Sequence, residues 1–238
     1  IGSTGDGSFW DHLEEFRKRL VTVLAVVAGL SAVAFAFSGG MVDLVTETSP
    51  EPLAALAPAE AINAHLRMSI AAGLLAGSPV VLFQMWRFLA PGLYRREKRA
   101  VLLVAIAGGF LFISGAAFAW FMIREPALTI FQSFQHGNIL GFWSLSSYID
   151  FIGNLLLVFG GAFQLPLAVL FVVRTGVATP GDIARYRRHV IVGLLIASAI
   201  LTPPDPLTQV MLSLPLYVLF EISLLVARLT WRSSGGGA

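Results

Sequence analysis

Eighteen consecutive residues without a formal charge, Leu20 to Phe37, follow directly on His12-Leu13-Glu14-Glu15-Phe16-Arg17-Lys18-Arg19-Leu20, in which five residues are charged. As a helix, an 18-residue run covers about 27 Å, close to the ~30 Å of a bilayer's hydrocarbon layer. The switch is predicted to lay the charged turns at a membrane surface and send the rest across. Glu14 and Glu15 sit among basic residues. Either they neutralise their own neighbours, or at least one is held for a cationic partner.

Composition sets the class. In 238 residues, 56% are hydrophobic and 13% charged, and the mean hydropathy is +0.79. One soluble core cannot hide that much apolar surface, since charged residues normally make up about a quarter of a chain. The chain reads as an all-α integral membrane protein. Cysteine is absent, which excludes disulfides, iron–sulfur clusters and thiolate zinc sites. Net charge is +2, and the basic residues do not gather into one soluble patch, so nucleic acid is not an expected partner.

Residues 1–8, rich in Gly, Ser and Asp, are expected to be a trimmed, disordered end without a cleavable signal, and 231–238 a disordered tail. Residues 9–230 read as a single membrane domain with spans at about 20–38, 66–88, 100–123, 151–174, 189–202 and 207–227. Gly39 to His65, with three prolines and no basic residue, is expected to form an extramembrane cap with short helical pieces. The second span carries Pro79, Gln84 and the small-residue pair Gly73 and Gly77. After the third span, Arg124 is the only basic residue before Asp150. The fourth span carries Gln164 and Pro166.

Between Arg188 and Thr202 the apolar run, Val190 to Leu201, is only about 18 Å long as a helix. Val210 to Phe220 is as short before Glu221 arrives. A thin hairpin is predicted, its Pro203-Pro204-Asp205-Pro206 tip below the far surface, with local thinning or snorkelling making up the mismatch. Of the 16 Lys and Arg, all but Arg67 and Arg124 fall on one side when six helices alternate. The positive-inside rule then places both termini in the cytoplasm. The expectation is six transmembrane helices, the last two short.

A small-solute transporter or channel is the alternative class. Such proteins usually show internal repeats or paired broken helices, and no convincing repeat is present. Enzymes are disfavoured. His-Glu-x-x-His, Gly-x-Ser-x-Gly and phosphate-loop patterns are absent, and His12, His65, His136 and His189 have no ligand spacing. No metal or cofactor is expected.

One ordered set of motifs resembles a known family. His12-Leu13-x-Glu15-x-Arg17-Lys18-Arg19-Leu20 opens it, and Pro79 leads into Gln84-x-Trp86-x-Phe88-x-x-Pro91-x-Leu93-Tyr94-x-x-Glu97. Phe163-x-x-Pro166, Leu201-Thr202-Pro203-Pro204-Asp205 and Leu219-Phe220-Glu221 complete it. Together they resemble TatC, the multi-spanning receptor subunit of the twin-arginine protein translocase, from about Trp10 to Leu229. The resemblance implies capture of paired-arginine signal peptides on folded cargo at the cytoplasmic face of a bacterial or archaeal plasma membrane. It further implies assembly with single-span TatA and TatB subunits and other TatC copies, for transport driven by the proton-motive force.

By position, Glu15 and Glu97 would be the signal-binding acids, with Arg17, Phe88 and Arg99 shaping the same surface. A carboxylate pairs bidentately with a planar guanidinium but meets an ammonium as a point charge, so such a site distinguishes Arg from Lys. The competing readings are structural: Glu97 as counter-ion to Arg96 and Lys98, Glu14 as local charge balance, Arg17 as a surface anchor, Phe88 and Trp86 as interfacial aromatics, Asp205 as a turn residue. The family commonly has a glutamate where this chain has Gln164. The amide can hydrogen-bond but cannot titrate, so Gln164, with Gln209 and Asp205, is expected either to contact partner helices or, for Gln164, to bond within its own bundle. Six helices, two of them short, cannot enclose an opening for folded protein, so transport would depend on recruited partners.

Overall fold

A computed structural model describes residues 6–89, 98–135, 143–201 and 206–233. Its elements are α1 (Asp6–Ala36), α2 (Ser38–Thr46), β1 (Leu53–Ala54), α3 (Glu60–Leu89), α4 (Lys98–Phe118), α5 (Arg124–Ser133), β2 (Trp143–Ser144), α6 (Leu145–Ala162), α7 (Leu165–Arg174), α8 (Pro180–Arg185), α9 (Arg187–Leu201) and α10 (Pro206–Ser233). Among the described residues, five segments are long and apolar enough to cross a membrane: Leu13–Ala36, Glu60–Phe88, Leu102–Ser133, Leu145–Arg174 and Gln209–Trp231. Much of their surface faces outward, including Phe110 and Phe121, as a lipid-facing helix bundle requires.

Several boundaries differ from expectation. Helix α1 starts at Asp6 and α10 runs to Ser233, so residues 6–8 and 231–233 are helical rather than disordered. The third span does not stop at Ile123. A π-helical turn, Ala119–Ile123, links α4 to α5 without a break. Pro126 has no N–H to give the carbonyl four residues back, and the widened turn just before it accommodates that loss. The fourth span is interrupted at Phe163-Gln164, ahead of Pro166.

The hairpin is asymmetric. Helix α9 has 15 residues, or about 22 Å, so it is short as expected. Helix α10 has 28 residues and is not short. It continues past Glu221 because that carboxylate is met inside the protein. Arg187 reaches it with Nε at 2.6 Å and Nη2 at 2.8 Å, and the Tyr217 hydroxyl donates at 2.8 Å.

The first helix packs on α3 through Gly73, where a Cβ would stand only 2.1 Å from the Ser31 hydroxyl oxygen. Helices α4 and α6 interlock in the same way. At Gly115 a Cβ would meet the Phe159 carbonyl oxygen at 2.5 Å, and at Gly160 the Phe112 ring at 2.9 Å. One apolar core joins Leu155, Phe159, Leu212 and Leu216 across α6 and α10, and another joins Val173, Phe220 and Leu224 across α7 and α10.

On the side opposite the amino-terminal charged turn, the cap is closed by polar links over an apolar cluster that includes Val42, Met68, Tyr148 and Ile152. The strands β1 and β2 pair in parallel, Leu53 with Trp143 and Ala54 with Ser144. Glu60 is buried, yet its carboxylate accepts from the backbone N–H groups of Leu56, Ala57 and Ser146 and from the Ser144 hydroxyl. A buried charge persists only when so answered. Further ties are Thr48 to Tyr148 at 3.0 Å, Gln132 to Glu51 at 2.9 Å, His65 to Ser38 at 3.0 Å, and the ion pair Arg67–Asp150.

Candidate functional site

The charged opening of α1 and the end of α3 meet at one end of the bundle. Glutamate and a basic residue four positions on share a helix face, the favourable order for such pairs. Glu14 accordingly pairs with Lys18 at 2.8 Å, both well exposed, the charge balance expected of Glu14. Glu15 pairs with Arg19 through Oε1. Its side chain keeps 44% of its surface open while that of Arg19 keeps 14%, so solvent can still reach the acid. Among the described residues, Arg19 is the only partner of Glu15.

Arg19 also joins the two helices. Its Nη1 donates to the Gln84 carbonyl at 3.4 Å, and its Cζ lies 5.8 Å from the centroid of the Phe88 ring. Phe16 packs on the same ring, with centroids 5.4 Å apart. The result is a guanidinium held between a carboxylate, a carbonyl and an aromatic face, the three surfaces that accept this group well. Trp86 is buried against Phe171, centroids 5.0 Å apart, and so belongs to the packing rather than to this surface.

Of the expected signal-binding residues, Glu15 and Phe88 therefore come together, joined by Arg19. Arg17 is exposed on the neighbouring face of α1. Arg99 is the second residue of α4, which packs along α3. Glu97 and Asp205 lie outside the described residues. Arg19 joins this candidate site although the motif by itself does not single it out. Its spacing from Glu15 was the available signal, while its contacts on α3 depend on tertiary packing.

The intramembrane amides are engaged within the protein. Gln164 is buried at the α6–α7 break, where its Nε2 donates to the Gly108 carbonyl at 2.9 Å and its Oε1 has no hydrogen-bond partner. Gln209 donates to the Leu195 carbonyl at 2.8 Å and ties α10 to α9. Near the start of α8, Asp182 and Thr179 cap each other reciprocally. The hydrogen bonds from Thr179, side chain first and then backbone, hold the Asp182 carboxyl below the ordinary carboxylate range.

Fold and site together define a multi-spanning helical membrane protein that presents an acid–guanidinium–aromatic cluster at one end of its bundle. Comparison with known proteins makes that class specific: the family model for Sec-independent protein translocase protein (TatC) matches residues 11–215. The chain belongs to the TatC family. The Aquifex aeolicus TatC protein is 35% identical over 230 residues, covering 93% of this chain and 95% of its own. That of Desulforapulum autotrophicum is 33% identical over 226 residues, covering 92% and 84%. A crystal structure of the twin-arginine translocase receptor TatC superposes with a TM-score of 0.83 at 33% identity, covering 92% of this chain and 98% of that one.

Proposed function

We propose that this chain is the signal-receiving core of a twin-arginine translocase. It binds paired-arginine signal peptides of folded cargo through Glu15 and Glu97, with Phe88, Arg17 and Arg99 forming the surrounding surface. Glu15, half open to solvent, already holds a guanidinium above Phe88, and this single observation carries the reading. A signal arginine would take the place of Arg19 on the same carboxylate. In this reading both termini lie in the cytoplasm of a bacterial or archaeal cell, which the fourteen-to-two distribution of basic residues supports.

Single-span TatA and TatB helices are recruited for transport driven by the proton-motive force. The hairpin suits them better than Gln164, whose amide is turned to Gly108. An apolar groove of about 150 Å³ between α9 and α10, lined by Ile191, Leu194, Val210 and Leu214, leaves a surface beside Gln209 for such a helix. A crosslinking scan should capture partner subunits from Leu214 and not from Gln164; capture at Gln164 alone would reverse the assignment.

The decisive experiment is calorimetric titration of the detergent-solubilised protein with a paired-arginine signal peptide and its Lys-Lys counterpart. The arginine peptide should bind more tightly, and Glu15→Ala or Glu97→Ala should weaken it by about tenfold, one lost charge-assisted pair. Equal affinity for both peptides, or wild-type affinity in both variants with the melting temperature unchanged, would refute the reading.

A further inference from the structure

Arg67 and Arg124 are the two described basic residues on the cap side, and they are provided for differently. Arg67 is paired with Asp150. Arg124, the first residue of α5, makes no ion pair or hydrogen bond with any described residue. Its Nε and Nη1 are closed off from solvent and unpartnered. The guanidinium lies over the Trp120 ring, its Cζ 4.3 Å from the centroid. Glu125, next in sequence, is exposed and does not answer it. A permanently charged, half-buried group with two closed-off nitrogens that meet only an aromatic face still calls for an anion.

Trp120 also lines a groove of about 390 Å³ between α3, α4 and α6, with Ala76, Ile113, Ala117, Phe121 and Leu156. Its walls are apolar, and Phe121 and Ile113 are 73% and 56% exposed, so it opens onto the surface that faces hydrocarbon. The volume lies within the roughly 300–1,000 Å³ range of small-molecule sites. A charged mouth beside an apolar trough calls for a ligand with an anionic head and a hydrocarbon tail. We propose that this is a phospholipid site of the cap-side leaflet: Arg124 takes the phosphodiester, Trp120 fixes the guanidinium at headgroup depth, and one acyl chain lies in the groove.

The test is native mass spectrometry of the detergent-solubilised full chain titrated with dioleoyl phosphatidylglycerol. The wild type should retain one lipid, and Arg124→Gln and Ala117→Phe should each weaken it by about tenfold, the first by removing a charge-assisted pair and the second by filling the trough. Arg67→Gln should leave retention unchanged, and excess inorganic phosphate should not displace the lipid. Undiminished retention in Arg124→Gln and Ala117→Phe would overturn the site. So would displacement by phosphate with Ala117→Phe indifferent, which marks a free-anion site, or an effect of Ala117→Phe alone, which marks an apolar occupant such as a partner helix. If Arg124→Gln does not fold, Arg124→Lys replaces it, keeping the charge but losing the planar fork, and Ala117→Phe again tests the trough.

Discussion

Glu15 chooses its partner by helix geometry. Arg17, two residues on, points away, whereas Arg19, four residues on, shares its face, and Phe88 gives that guanidinium a second surface. A pair whose acid stays open to solvent in this way contributes ~0–1 kcal/mol. Arg19→Ala should therefore raise affinity for a paired-arginine peptide by up to about fivefold in titration, because no internal guanidinium then competes. A second prediction concerns pH. Asp182 is depressed by Thr179, so its contribution to α8 is complete above its unfolded value near 4 and is lost as pH falls through the lower folded value. The protection factors of α8 amides in hydrogen exchange should fall on acidification below pH ~4, and Asp182→Asn should remove that dependence. The acids and their i,i+4 basic partners are legible in the sequence, but the contact of Arg19 with Gln84, 65 residues on, is not, because only packing makes them neighbours.

Among the helices, the small-residue pair on α3 is two different contacts. A Cβ at Gly73 would meet the Ser31 backbone nitrogen at 2.7 Å, whereas one at Gly77 would lie 3.4 Å from a mobile Leu30 methyl. Gly73→Ala should force α1 off α3 at a cost of about 1–3 kcal/mol, visible as a lower melting temperature, and Gly77→Ala should be close to neutral. Apolar runs made the helices readable, because a bilayer admits little else. They misplaced two helix ends at charged residues. Glu221 looked like the end of a short helix, but Arg187, 34 residues earlier, pairs with it and α10 continues. Arg124 looked like the start of a loop, and a π turn carries the helix through it.

At the scale of the whole molecule, the charged end and the cap are built differently. The charged end rests on ion pairs whose acids stay open to solvent, whereas the cap rests on a buried carboxylate with four donors. Glu60→Ala should leave those donors unanswered and loosen the cap, read as faster hydrogen exchange at β1 and β2, while peptide binding at the opposite end stays unchanged. The membrane class and the charged end were legible because both follow from where charge stops. The parallel strand pair was not, because two residues on each side carry no periodicity. That pairing also dictates an order of assembly. Synthesis delivers Glu60 first and Ser144 only 84 residues later, so the acid must stay hydrated until the second half of the chain has been threaded to the same side. The cap can seal only late in biogenesis, and a nascent protein with its third helix misrouted would be left with an unshielded carboxylate.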